Sequence, residues 1–270
     1  SLYCLFDEAD HLRLRARVSG FGAAPVLAEA TRHARRLELA AEAAGMPFAF
    51  DEDFGHLASR FEECGLGAVL GACLHLPSLA VSGLAERAFR PALAAGFALR
   101  GFYGADKGSA GDLYELSTEQ SCGLSEEELA DGFEKAVRGL VAAERRARAE
   151  LVASRREELL DIVGRALGTL RYCRFLSAAE GAAQLSALRL GLLAGVARGA
   201  EPAALAGLLG SLGPGGIALR SQGFTGVAGA AEAAGRPGAR GPGRLDSADR
   251  LRARLAGEAV SGLELSLGGE

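Results

Sequence analysis

Asp7-Glu8-Ala9-Asp10-His11-Leu12-Arg13-Leu14-Arg15-Ala16-Arg17-Val18 decides how the first half of the chain is read. From Leu12 onward, the apolar residues Leu12, Leu14, Ala16 and Val18 alternate with Arg13, Arg15 and Arg17. A period of two puts each set on its own face of an extended chain, so this is a half-buried strand with a basic face. Outward from it, residues 26–44 read as a helix stopped by Gly45 and Pro47. Residues 48–59, broken by acids and glycine, read as strand and loop. Residues 67–76 form an apolar strand pattern, and residues 82–95 a helical one. Residues 98–103 and 112–117 read as two more strands joined by a glycine-rich turn. Strands and helices mix without a steady βα alternation, which points to an α+β fold and not to a doubly wound sheet.

Past Gly123 the pattern changes to helix. Ser125 with Glu128, Ser154 with Glu157, and Ser177 with Glu180 each repeat the capping-box spacing. The first is expected to open a helix running to about Leu151, and helical pattern continues to about Arg198. Residues 210–243, rich in Gly, Ala and Pro, read as a mobile linker, and residues 247–259 as a last helix. The expected boundary lies near residue 150, giving segments 1–150 and 151–270.

The 270 residues are 49% hydrophobic and 24% charged, enough for a packed core. A net charge of −4 gives no long-range attraction to nucleic acid or to an anionic membrane. The five cysteines show no CxxC spacing and no paired histidines, so no bound metal is expected. An odd cysteine count without a secretion signal is read as a cytoplasmic protein. The uncharged stretch 64–85 has the length of a membrane span, but His75, Pro77 and its glycines make strand and loop the better reading. The start at Ser1 suggests a fragment.

Five stretches, in order and in register, carry a family resemblance. Residues 7–13 resemble the Asn-Glu-Glu-Asp-His-Leu-Arg motif of guanidino (phosphagen) kinases, which move the ATP γ-phosphoryl group onto a guanidinium nitrogen. Residues 55–77 keep that family's glycines at 55, 65 and 67 and its closing His75-Leu76-Pro77. Arg100-Gly101-Phe102-Tyr103-Gly104 is similar to Arg-Gly-Leu-Tyr-Gly of the bacterial protein-arginine kinase branch. Gly111 and Tyr114, with Ser117, Gly123, Ser125 and Glu126, fit its Gly-Asn-x-Tyr and Gly-x-Ser-Glu positions. Leu185-Ser186-Ala187-Leu188-Arg189-Leu190-Gly191 resembles its helical Leu-Ser-x-x-Arg-Leu-Gly. The resemblance implies an antiparallel sheet flanked by helices, as in guanidino kinase and glutamine synthetase-like catalytic domains. A helical domain that forms a homodimer follows. Mg-ATP is the implied cofactor. The family's N-terminal helical region and its Ser-x-Arg-x-Arg segment precede the matched stretch and are not in this sequence.

Phosphoryl transfer needs positive charge on the phosphates and in-line positioning of the acceptor. A guanidinium acceptor is protonated at neutral pH and a poor nucleophile, so carboxylates must orient it and take a proton. The resemblance places Arg13 and Arg100 at phosphate-binding positions and His75 beside the nucleotide. The two carboxylate positions, however, are Ala9 and Ala105, the cysteine position is Arg60, and another phosphate arginine is Val69. Glu8 and Asp10 are one residue off, and on a strand they would face the other way. Glu62 and Glu63 bring negative charge into a loop the family uses near substrate. No catalytic residue is therefore expected to be retained, and nucleotide binding is expected to be weak at most. Cys64 is expected to be a core or loop thiol.

The Arg-rich stretch 144–156 reads as a solvated helix surface. Near the C-terminus, Ala248-Asp249-Arg250-Leu251-Arg252-Ala253 resembles the branch's phosphoarginine-binding motif Arg-Asp-x-x-Arg-Ala without its first Arg. Asp249, Arg252 and Ala253 are candidates for that role. The plainer alternative is a solvated i,i+3 ion pair. The preferred functional reading is a pseudokinase that regulates or scaffolds protein quality control beside an active kinase or adaptor. Its alternatives are a divergent active kinase and a phosphoarginine-binding module.

Overall fold

The computed structural model describes residues 2–6, 10–18, 20–101, 109–221 and 247–266. They form an α+β fold with several small sheets and a helix-rich C-terminal half. Two compact units emerge. One comprises Ser1–Leu74, Glu86–Arg100 and Glu115–Ala143; the other comprises His75–Ala85, Gly101–Tyr114 and Glu144–Glu270. The boundary expected near residue 150 falls inside one helix, Glu126–Ser154.

In the first unit, β1 (Leu2–Phe6) pairs antiparallel with β2 (Leu12–Ala16), the strand anticipated from the Leu/Arg alternation. α1 (Ala23–Ala43) starts three residues earlier than its pattern suggested. Its N-cap, Gly22, has no side chain to offer, and the Glu134 carboxylate accepts the Ala23 N–H at 2.8 Å instead. Short strands β3 (Phe50–Asp51) and β4 (Gly55–His56) form a hairpin. The larger sheet has the order β5 (Gly71–His75), β7 (Leu113–Thr118), β6 (Phe97–Gly101). Thr118 N donates to Leu70 O at one end of β5 and Leu76 N to Asp112 O at the other, so β5 and β7 run antiparallel. The stretch 64–85 is therefore turn, strand and the short helix α2 (Pro77–Val81). Among the described residues, no single helix is long and apolar enough to cross a membrane. α3 (Ala85–Ala94) precedes β6.

α4 (Glu126–Ser154) opens on the anticipated capping box. Ser125 Oγ accepts the Glu128 N–H at 3.2 Å, and Glu128 accepts the Ser125 N–H at 2.9 Å. Ser177 likewise caps α6 (Ala178–Leu193) by accepting from Glu180 N. The third box does not form. Ser154 Oγ donates back to Glu150 O, and Arg155 is the N-cap of α5 (Arg156–Tyr172). Arg155 pairs with Glu158 there. A serine at a helix end can satisfy its own helix as readily as the next one.

The core of the second unit is leucine-rich, with Leu159, Val163, Leu170, Leu185, Leu188, Leu190 and Val196 at or near zero exposure. α7 (Pro202–Ser211) and α8 (Pro214–Ser221) pack on it through Leu205, Leu209 and Ile217. This corrects part of the expected linker. Residues 214–221 are helical because Ile217 is 1% exposed in the core. Residues 222–243 lie outside the described residues. α9 (Ser247–Ala259) matches its expectation, and β8 (Ala197–Arg198) pairs with β9 (Glu264–Leu265).

At Gly191 α6 packs tightly on α5, since a Cβ there would lie 2.6 Å from Val163 Cγ1. Gly191→Ala should therefore cost about 1–2 kcal/mol, because overpacking outweighs the roughly 1 kcal/mol of helix propensity that alanine gains. Urea midpoints check this. Val163→Ala in the same chain should make the pair less destabilising than the sum of the two changes.

Candidate functional site

Arg13 and Arg100 lie in the first unit. Arg13 follows the first residue of β2, and its Nη2 is 3.0 Å from Asp10 Oδ2 and 2.9 Å from Glu63 Oε2. On a strand, Asp10 was expected to face opposite the carboxylate position at Ala9. It precedes β2 in a bend, so strand alternation does not govern it, and its carboxylate turns onto Arg13. Its other oxygen accepts the Ser59 N–H at 2.7 Å. That backbone hydrogen bond first, and Arg13 after it, hold the Asp10 carboxyl below its ordinary range.

The loop carrying Glu63 is fixed from several sides. The turn Phe61–Glu63 is 3-10 helical. Ser121 donates its N–H to Glu62 O at 3.1 Å and its hydroxyl to Cys64 O at 3.1 Å. Cys64 is buried and its Sγ accepts the Ala58 N–H, as befits a loop thiol. Arg60 lies 3.7 Å from Glu62 and 3.6 Å from Glu63. Among the described residues, three carboxylates (Asp10, Glu62, Glu63) and two guanidiniums (Arg13, Arg60) thus share one cluster with formal charge −1. Arg100 is exposed on β6. Ala9 and Ala105, with Glu8 and Asp106, lie outside the described residues.

His75 belongs to the second unit. It ends β5, its Nε2 is 2.8 Å from Ser186 Oγ on α6, and Ser186 Oγ is 2.6 Å from Asp112 Oδ2. Burial first, then the charges of Arg189 and Arg148, push the His75 pKa down to about 3. Burial raises that of Asp112, partly offset by the Ser186 hydrogen bond. Nearby, Glu144 corrects the reading of residues 144–156 as a solvated surface. It is 6% exposed and accepts the N–H groups of Ser78 and Leu79 at 2.9 and 3.0 Å. Those are free donors of the first turn of α2, so the carboxylate is held by need.

Asp249, Arg252 and Ala253 also fall in the second unit, on the buried side of α9. The Asp249–Arg252 pair is not solvated. Arg252 is 3% exposed and donates to Leu212 O at 2.8 Å, Leu176 O at 2.7 Å and Asp249 Oδ1 at 2.6 Å. A phosphate at this guanidinium would have to displace the chain's own acceptors. Ser186 and Asp112 escaped the sequence reading. The available signal was Asp112 standing where the branch's motif has Asn.

Two consequences are measurable. Arg252→Ala removes the buried guanidinium together with its hydrogen bonds to Leu212 O, Leu176 O and Asp249, and should lower unfolding free energy by about 3–5 kcal/mol, read from urea denaturation. The second concerns His75, whose folded-state pKa of about 3 lies below its ordinary 6.5. Between these values the unfolded chain takes up a proton that the folded chain refuses. Stability is then full above about pH 6.5 and falls as pH drops. His75→Asn should flatten that decline between pH 7.5 and pH 5.

Residues 1–147 match the family "ATP:guanido phosphotransferase, C-terminal catalytic domain", and residues 156–222 match "Protein-arginine kinase McsB C-terminal domain". A protein-arginine kinase of an Exiguobacterium species is 36% identical over 187 residues, 69% of this chain and 52% of that protein. One from Symbiobacterium thermophilum is 34% identical over 192 residues, 71% of this chain and 53% of that protein. The chain thus spans about half the length of these relatives. The crystal structure of lombricine kinase is similar with a TM-score of 0.49 at 20% identity, covering 55% of this chain and 40% of that one. Taken with the ordered motifs, the two family matches and the protein-arginine kinase relatives place the chain in the ATP:guanido phosphotransferase family, on its protein-arginine kinase branch.

Proposed function

We propose that this chain is a degenerate protein-arginine kinase-like protein. It binds Mg-ATP weakly at most, transfers no phosphoryl group, and acts as a regulatory or scaffold subunit in protein quality control. It dimerises through its helical region in the cytoplasm, beside an active kinase or an adaptor. The observation that carries this reading is the engagement of Arg13 by Asp10 and Glu63. A phosphate reaching Arg13 must displace those carboxylates or sit beside them. Two like charges about 4 Å apart near a protein surface repel by about 4 kcal/mol. Arg60 puts a positive charge where the family keeps a cysteine near the cationic acceptor, which disfavours an arginine substrate as well. With Ala9 and Ala105 at the positions the resemblance gives to carboxylates, the two acids that would orient that guanidinium and take its proton are replaced. Loss of a positioned base alone typically costs a factor of about 10² to 10⁴.

Radiolabelled ATP with an arginine-rich acceptor such as casein should give no acid-labile label, and transfer of such label would overturn the reading. Calorimetry supplies the companion measurement. Glu63→Gln, which removes one acid from Arg13, should strengthen whatever Mg-ATP binding exists by roughly three- to fivefold, about the 1 kcal/mol of one partly exposed ion pair.

A further inference from the structure

We infer that Ser186 and Asp112 are positioning residues for His75: the Ser186 hydroxyl, turned toward the Asp112 carboxylate, holds the His75 ring as its Nε2–H tautomer and fastens α6 to the end of β5. Proton counting fixes the direction. An ionised carboxylate only accepts, and Ser186 has one hydroxyl hydrogen. At 2.6 Å from Asp112 Oδ2, that hydrogen goes to the carboxylate. Toward His75, 2.8 Å away, the same oxygen offers only lone pairs, so Nε2 must carry the proton. Nδ1 is then the bare nitrogen. It is buried, and no group among the described residues donates to it, as suits a site that holds no second proton. Burial and the charges of Arg189 and Arg148 keep the ring neutral, which the single-tautomer state requires.

The backbone is shaped for this joint. Gly111 has φ 68° and packs so close to α6 that a Cβ would lie 2.8 Å from Ala182 O. Asp112 follows with φ 53°, a left-handed conformation that Asp tolerates better than most residues. Leu76 N donates to Asp112 O, so the residue after His75 is tied to the same aspartate. The Leu185–Gly191 segment thus gains a role: Ser186 supplies the hydroxyl and Gly191 admits Val163. With Nε2 engaged and Nδ1 enclosed, the His75 ring is a joint and has no free edge for a nucleotide. This assignment does not rest on the pseudokinase reading.

NMR of the chain labelled with ¹⁵N-histidine tests it, with His75→Gln identifying the His75 signals among the four histidines. At neutral pH, His75 should show a protonated Nε2 and a pyridine-like Nδ1. Ser186→Ala should turn that signature into an averaged mixture of tautomers, and Ser186→Thr should restore it. Asp112→Asn, whose amide oxygen still accepts, should keep it. A protonated Nδ1 in the unaltered chain would mean the relay runs the other way and would overturn the proposal. So would histidine signals unmoved by Ser186→Ala. The unaltered chain decides the first point even if the alanine variant does not fold.

Discussion

A guanidinium in a leucine core constrains the whole helical unit. Arg252 is 3% exposed among side chains that offer no water, and an unpaired charge there would cost several kcal/mol. Its partners come from three places: Asp249 one turn back on α9, Leu176 O at the α5–α6 junction, and Leu212 O between α7 and α8. Leu212 is the C-cap of α7, where acceptors lack intrahelical donors, and Leu176 lies in the loop just before α6. One side chain therefore answers unmet need at two junctions and pins α9 against both. The apolar contacts of α9 through Ala253, Ala256 and Val260 are non-directional. The guanidinium adds the register they lack.

The same chemistry works differently around Arg13. There the guanidinium is partly exposed, its partners are carboxylates, and those carboxylates belong to a rigidly held loop. An arginine meant for phosphate should face open, electropositive surroundings. This one shares a cluster whose formal charge is negative. On the reading proposed above, the loop has taken over the arginine as an internal anion would. Glu63, read from sequence only as negative charge in a loop near substrate, proves to be a direct partner of the arginine itself.

Much of the fold was legible because its signals are local. The Leu/Arg alternation gave β2, and the Ser125–Glu128 and Ser177–Glu180 spacings gave two helix starts within a residue. What escaped depends on partners distant in sequence. Glu144 lies in an arginine-rich run, and nothing nearby shows that it caps a helix that begins at residue 77. Ile217 turns a Gly- and Pro-rich stretch into a helix because a core waits for it. Ser154 fits the capping box as well as Ser177 does, and only the geometry of the chain's turn separates them. Of the candidate site, the individual residues were readable, but the closing of Asp10 and Glu63 onto Arg13 was not. Asp10 lies two residues before β2, in a bend that strand parity does not govern.

The motif positions divide by the kind of demand placed on them. Gly111, Ser186 and Gly191 answer to shape: a close approach, one hydroxyl between an imidazole and a carboxylate, and a helix contact with no room for a methyl. Changing any of them strains packing whatever the protein does. On the resemblance, Ala9, Ala105 and Arg60 stand at positions where chemistry, not packing, calls for a carboxylate or a thiol. A chain that still needs its scaffold but no longer needs proton transfer would keep the first group and lose the second. His75 marks the dividing line. The resemblance puts it beside the nucleotide, yet here its ring hydrogen-bonds inward, to Ser186, so on the reading proposed above a residue shared with the family need not signal shared activity.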